Sequence, residues 1–144
     1  MTAPEPVKVR CISHVGVTVA DVDRSIAFYR SVLGFELLSD ARPSGSPRVS
    51  LAFGDVSLEL FEAPAALESY VPEATTFGRP KLALTVEDLD QAVAALEAHG
   101  VEVWGPRFET PASSLVWIRD PDGMPIQLHA FTNGARNVVE LLRR

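Results

Sequence analysis

The sequence predicts an α+β fold in which two tandem βαβββ modules form a pseudo-twofold, half-open mixed β-barrel with a ligand cleft. Each half of the chain shows the same order of patterns: a strand rich in β-branched residues, an amphipathic helix, and three strands separated by turn residues. In addition, residues 14–23 (HVGVTVADVD) align without a gap with residues 81–90 (KLALTVEDLD), at an offset of 67 residues. This similarity indicates an internal duplication, and the concave faces of two such sheets would enclose a cleft lined by equivalent positions.

The first module is predicted at about residues 10–62. Its first strand, 11–19, ends before Asp21, which is placed to cap a helix that ends at Gly34. Apolar residues recur at helical spacing within this helix: Val22, Ile26, Tyr29 and Leu33. Turn residues then separate three predicted strands: 35–40, 48–53 and 56–62.

The second module is predicted at about residues 80–131, after a proline-containing connector at 63–79 that lacks sustained periodicity. It repeats the first module with a strand, a helix capped by Asp88, and three further strands. A short helix is predicted at 135–143. This helix either packs on the outside of the barrel or forms a dimer contact.

Composition restricts the class of protein. A chain of 144 residues with 47% hydrophobic residues predicts one compact, folded domain. The net charge of −6 argues against a nucleic-acid partner, because such proteins concentrate basic residues on one face. Cys11 is the only cysteine, which is typical of a reducing cytoplasm, and no run of eighteen apolar residues indicates a membrane span. We therefore expect a cytoplasmic protein that does not contact the membrane.

Two segments of the chain carry a resemblance to a known family: HVGVTVADVDRSIAFYRSVLGFEL, which begins at His14, and RDPDGMPIQLHAF, which begins at Arg119. Both resemble signature sequences of the vicinal oxygen chelate superfamily, which includes glyoxalases, extradiol dioxygenases and bleomycin-resistance proteins. The resemblance spans residues 11–131. In metal-dependent relatives, each first strand and each last strand supplies one metal ligand, so the resemblance implies four such positions. It also implies a homodimer, in which the cleft lies within one chain or between two.

The four ligand positions are occupied here by His14, Glu59, Lys81 and Gln127. His14 and Glu59 match the residue types of a metal site, whereas a protonated Lys81 has no acceptor and cannot bind a cation. The resemblance implies that all four residues are catalytic, with either no cofactor or a weakly bound divalent metal on His14, Glu59 and Gln127. We expect Lys81 to point into the cleft and pair with Glu59; the alternative is that its long stem lets the ammonium reach solvent.

Further residues are expected to line the cleft and bind the substrate. His129 lies two residues beyond Gln127 and therefore on the same strand face, where it could replace a ligand or act as an acid or base. The others fall in the predicted strands and indicate a ligand of apolar or planar character, unless they belong to the core: Arg48, Phe53, Phe61, Trp104 and Trp117.

Three functions fit these residues. The first is a lyase or isomerase that dehydrates, cyclises or epimerises a carbonyl-containing small molecule by acid/base catalysis, without a tightly bound metal. The second is a metal-free protein that binds a small molecule such as an antibiotic, in the manner of the bleomycin-resistance proteins. The third is a metal-dependent glyoxalase or extradiol dioxygenase, which would need a third ligand besides His14 and Glu59. In all three the partner is a small molecule.

Overall fold

The structure, a computed structural model, describes residues 12–46, 48–62 and 80–143, together with positions 6, 8 and 10. The predicted connector at 63–79 lies outside the described residues. The first module consists of β1 (His14–Val19), α1 (Val22–Ser31), β2 (Glu36–Asp40), β3 (Arg48–Phe53) and β4 (Val56–Glu62). The second consists of β5 (Leu82–Thr85), α2 (Leu89–Ala98), β6 (Trp104–Glu109), β7 (Ser113–Arg119) and β8 (Pro125–Phe131), and is followed by α3 (Val138–Arg143).

The strands form two four-stranded mixed sheets with the same order, β1-β4-β3-β2 in the first module and β5-β8-β7-β6 in the second. In each sheet the first and last strands of the module are parallel neighbours, and the other pairs are antiparallel. The sheets do not close into a barrel. The predicted α+β class and the repeated βαβββ order are therefore confirmed.

Helices α1 and α2 begin at the predicted caps. The Asp21 side chain accepts a hydrogen bond from the backbone N–H of Arg24 at 3.0 Å, and Asp88 accepts one from Gln91 at 3.0 Å. An acceptor at this position satisfies a donor that the first helical turn leaves unpaired. The duplicated Asp thus starts the same helix in each module.

The core lies on the sheet faces that carry the helices. Along β4, Leu58 and Leu60 are buried, and along β8, Ile126 and Leu128 are buried. Tyr29 of α1 is fully buried among them, and the core cluster contains residues of both modules. Because strand side chains alternate, burial of one face leaves the odd-numbered residues of β4 and β8 on the opposite, open face.

The two modules are also joined by the turn between β7 and β8. Asp120 accepts a hydrogen bond from the Tyr29 hydroxyl at 2.9 Å. Asp122 accepts hydrogen bonds from the backbone N–H of Ala20 at 3.1 Å and from the Ser25 hydroxyl at 3.5 Å. This turn of the second module is therefore fixed against the start of α1 in the first.

The C-terminal helix α3 is shorter than the predicted 135–143 and buries none of its residues. Val138, Val139 and Leu142 are 50%, 56% and 77% exposed. Leu141 is half-buried, so both packing on the outside of the fold and a dimer contact stay predictions. None of the described helices is long and apolar enough to cross a membrane.

Candidate active site

The open face of the first sheet presents the carboxylate of Glu59. In the parallel register Glu59 lies beside Gly16, and in the antiparallel register it lies beside Ser50. Gly16 has no side chain and Ser50 has a small one, but the Phe61 ring, on the same face, lies 3.6 Å from where a Cβ of Gly16 would stand. The Glu59 side chain is only 13% exposed, so it lies low on the sheet rather than extending into solvent.

Two basic side chains contact the carboxylate of Glu59. His14 Nε2 lies 3.3 Å from Oε2, and Arg48 Nη1 lies 3.8 Å from Oε1. The other ring nitrogen of His14, Nδ1, is 3.0 Å from the Ser13 hydroxyl. A carboxylate held at both oxygens has a fixed orientation, and its histidine neighbour can exchange a proton with it.

The open face of the second sheet carries the equivalent pair. Lys81 Nζ donates a hydrogen bond to the side-chain oxygen Oε1 of Gln127 at 3.0 Å. The same ammonium lies 5.1 Å from the centroid of the Trp117 ring, a cation–π distance. Trp117 is the register partner of Gln127 on the neighbouring strand. The duplication therefore places a His–Glu pair on one sheet and a Lys–Gln pair on the other.

His129 lies on the same face as Gln127 but is buried, with 8% of its surface exposed. Its Nε2 is 3.3 Å from the Thr85 hydroxyl, and its ring centroid is 4.4 Å from that of Phe131. Burial lowers the pKa of His129 below the ordinary histidine value, and the positive charge of Lys81 lowers it further. The ring is therefore kept neutral near pH 7.

The expected ion pair between Lys81 and Glu59 is not formed. Within the described ranges, the ion partners of Glu59 are His14 and Arg48, and Lys81 donates to Gln127 instead. The two groups lie on different sheets, and each has its partners within its own sheet. Lys81 is exposed, as the alternative expects of an ammonium that reaches solvent, and it also donates to Gln127 and lies over the Trp117 ring.

The predicted cleft-lining residues divide between the sheets. Arg48 and Phe61 are register partners and share the open face of the first sheet with Glu59. Phe53 is placed on the opposite face by strand alternation, and its ring lies 5.3 Å from that of Phe35. Trp104 and Trp117 are register partners on the second sheet.

Arg119 was not among the predicted site residues. Its guanidinium lies 3.9 Å from the centroid of the Trp104 ring, on the sheet that carries Lys81. The sequence contained a signal for it, because Arg119 lies two residues after Trp117 in the same strand and so shares its face. Because Arg119 begins the pattern RDPDG, which was interpreted as a turn, it was not considered as a site residue.

A family model of the Glyoxalase/Bleomycin resistance protein/Dioxygenase superfamily matches residues 11–128. The chain belongs to this superfamily. The resemblance of the two signature segments to the vicinal oxygen chelate proteins is thereby confirmed.

The relatives within the superfamily include a protein named as an enzyme and one named as an antibiotic binding protein. The YaeR protein of Escherichia coli is 36% identical over 124 residues, covering 82% of this chain and 94% of that protein. The lactoylglutathione lyase of Salmonella typhimurium is 34% identical over 136 residues, covering 87% and 96%. The solved structure of TnmS3, an antibiotic binding protein from Streptomyces sp. CB03234, matches with a TM-score of 0.70 and 27% identity, covering 88% and 100%.

The residues at the superfamily's metal-ligand positions do not fit a tightly bound metal ion. Among the residues that the structure describes, no group of three or more His, Cys, Asp or Glu side chains could hold one. On the first sheet, the carboxylate of Glu59 already has the Arg48 guanidinium 3.8 Å away. On the second, the amide oxygen of Gln127 accepts a hydrogen bond from an ammonium group, whose charge would oppose a metal cation.

Proposed function

We propose that this chain is an acid/base enzyme of the lyase or isomerase type, acting on a carbonyl-containing small molecule without a tightly bound metal. The observation that carries the proposal is the chemical contrast between the two duplicated pairs. One sheet holds a carboxylate fixed by His14 and Arg48, and the other holds an ammonium fixed by Gln127. The first is suited to accept a proton, and the second to stabilise a negative oxygen.

The reaction follows from these two groups. Glu59 removes a proton from the carbon next to the substrate carbonyl, and the electron pair moves onto the carbonyl oxygen as an enolate. Lys81 and the amide N–H of Gln127 donate hydrogen bonds to that oxygen. When the enolate collapses, the proton returns to another face or carbon, or a neighbouring leaving group departs. The first outcome is epimerisation or isomerisation, and the second is an elimination such as dehydration.

The proposed chemistry needs both pairs in one cleft, and we propose that a second copy of the chain supplies the missing half. Lys81 and Glu59 belong to different sheets and do not pair within the described chain. In a symmetric homodimer the first sheet of each copy can face the second sheet of the other, so that two equivalent clefts form. The exposed apolar residues of α3 are consistent with a dimer contact.

The dimer is tested by mixing two inactive variants, Glu59→Gln and Lys81→Met, after separate purification. In a mixed dimer with shared clefts, one cleft carries both substitutions and the other carries none. Random exchange should therefore restore about 25% of the wild-type activity. If each cleft belongs to one chain, mixing restores no activity, and the shared-cleft proposal is wrong.

The acid/base function is tested by proton exchange in deuterium oxide, followed by NMR. The panel contains 2-hydroxyketones, 2-oxoacids and S-lactoylglutathione, the compound for which the Salmonella relative is named. We expect exchange next to the carbonyl of at least one compound, and Glu59→Gln should slow it by about 10²–10⁴-fold. Glu62→Gln is the matched control, because Glu62 lies on the same strand but alternates to the other face. Equal rates for Glu59→Gln and wild type would overturn the proposal.

A second candidate function is the binding and sequestration of a small molecule. An apolar groove on the second sheet, lined by Trp104, Phe108 and Trp117, favours it, and so does the similarity to the antibiotic binding protein TnmS3. A binding protein would hold its ligand equally well in wild type and in Glu59→Gln, and it would exchange no proton. The same panel therefore separates the two candidates.

A further inference from the structure

The two tryptophans of the chain, Trp104 and Trp117, lie side by side on the second sheet. Trp104 is 49% exposed although it is one of the largest apolar side chains in the molecule. Together they line a groove of about 520 Å³, within the range of small-molecule sites. Its other main lining residues are Lys81, Pro106, Phe108 and Pro125.

An irregularity in the edge strand β6 shapes this groove. The register between β6 and β7 shifts between Trp104 and Phe108, and Gly105 within the shift has a φ of +74°, which favours glycine. Pro106 follows it and has no backbone N–H to offer to a further strand. The edge is therefore poorly suited to pair with another strand, whereas its side chains form an apolar wall. These features favour a small molecule over a peptide as the occupant.

Each tryptophan of the groove lies beneath a cation. Lys81 Nζ is 5.1 Å from the Trp117 ring centroid, and the Arg119 guanidinium carbon is 3.9 Å from that of Trp104. Across the part of the chain that the structure describes, neither cation has a carboxylate within ion-pair distance. By contrast, Arg42 and Arg107 each pair with two carboxylates. In a chain of net charge −6, a groove that is lined by Lys81 and bordered by the Arg119 guanidinium, neither with a described carboxylate partner, favours an anionic ligand.

We propose that this groove binds a planar aromatic carboxylate. The flat ring would pack against the exposed side chains of Trp104 and Phe108, and the carboxylate would accept a hydrogen bond from Lys81, which lines the groove beside Trp117. A neutral aromatic molecule would leave both cations unpaired, and an aliphatic acid would lose the packing against these aromatic side chains. The inference rests on the proposed function, because it adds an aromatic ring and a carboxylate to the carbonyl compound that the cleft of Lys81 would take; 2-naphthoate is a binding probe and not a substrate.

The two indole N–H groups provide a direct test. Nitrogen-15 NMR of the full chain should show one resonance for each tryptophan, and Trp104→Phe and Trp117→Phe assign them. The probe is 2-naphthoate, compared with neutral 2-naphthalenemethanol and with cyclohexanecarboxylate, which lacks the aromatic ring. We expect saturable shifts of both resonances with 2-naphthoate, and binding about tenfold or more weaker for each comparison compound.

Variants separate the charge from the ring contribution. Lys81→Met should weaken 2-naphthoate binding several-fold while leaving 2-naphthalenemethanol unaffected, and Arg30→Met, an exposed cation of α1, should change neither. Glu59→Gln should abolish proton exchange but not 2-naphthoate binding, so failure of the acid/base proposal remains distinguishable from failure of this one. If 2-naphthalenemethanol binds as tightly as 2-naphthoate, the inference is overturned. The inference is also overturned if the indole resonances do not shift with any of the ligands but do shift on dilution, because a second copy of the chain would then fill the groove.

Discussion

At the scale of single residues, Tyr29 and Asp120 form a buried contact on which the packing of the two modules depends. The Tyr29 hydroxyl donates to Oδ2 of Asp120 at 2.9 Å, and Oδ1 accepts from the backbone N–H groups of Asp122 and Met124. Tyr29→Phe would leave a buried carboxylate oxygen without its donor. We expect a loss of about 1–3 kcal/mol in the free energy of unfolding, measured by urea denaturation.

The same contact predicts a dependence on alkaline pH. Burial raises the pKa of Tyr29 above the ordinary tyrosine value, and the neighbouring Asp120 raises it further. The folded protein therefore retains a proton that the unfolded chain loses, so this stabilisation declines as the pH rises past about 10. The difference in stability between wild type and Tyr29→Phe should shrink there. A constant difference from pH 7 to 11 would contradict the assignment.

His129 predicts an effect on the acid side. Its lowered pKa means that the unfolded chain takes up a proton more readily than the folded one, so stability falls as the pH drops below about 6.5. Because Lys81 contributes to the shift, Lys81→Met should raise the pKa of His129, followed by NMR of the imidazole carbon-bound protons. Arg30→Met is the control and should not move it. An unchanged or lower pKa in Lys81→Met would show that the ammonium does not act on this ring.

At the scale of elements, the turn between β7 and β8 docks on the start of α1. Asp122 contacts Ala20, Arg24 and Ser25 across the module boundary, and its charge lies near the positive end of the helix dipole. The duplication supplies a matched control, because Asp55 occupies the turn between β3 and β4 of the first module, is exposed and makes no hydrogen bond or ion pair within the described ranges. We expect Asp122→Ala to cost about 1–3 kcal/mol in urea denaturation and Asp55→Ala to cost less than about 0.5 kcal/mol. If Asp122→Ala and Asp55→Ala lose the same free energy of unfolding, the contacts of Asp122 do not dock this turn on α1.

Much of each element was predictable from local pattern. The two capping aspartates, the order of strands and helix along each module and the open-face position of Glu59 follow from periodicity and turn residues, which are local properties of the chain. The partner of Lys81 was not predictable in this way. It depends on the parallel register of β5 and β8, which brings Lys81 next to Gln127, 46 residues further along the chain.

At the scale of the whole molecule, duplication provides two similar sheets, and divergence gives them opposite chemistry. Equivalent positions carry a His–Glu pair in one module and a Lys–Gln pair in the other. A fixed ammonium can stabilise a negative oxygen, which in metal-dependent relatives is the task of the metal. The superfamily resemblance predicted the fold, and in our proposal the reaction depends on the two positions that depart from the ligand pattern.

The central claim, that Lys81 takes the place of a metal, is tested most directly by metal analysis. Wild type, Lys81→Met and Lys81→His are each incubated with Fe, Mn, Co, Ni or Zn, desalted, and measured by elemental mass spectrometry. We predict that wild type and Lys81→Met retain no stoichiometric metal, whereas Lys81→His gains an imidazole ligand and binds a divalent ion. If wild type retains about one divalent ion per chain, the ammonium does not replace the metal, and the account is wrong.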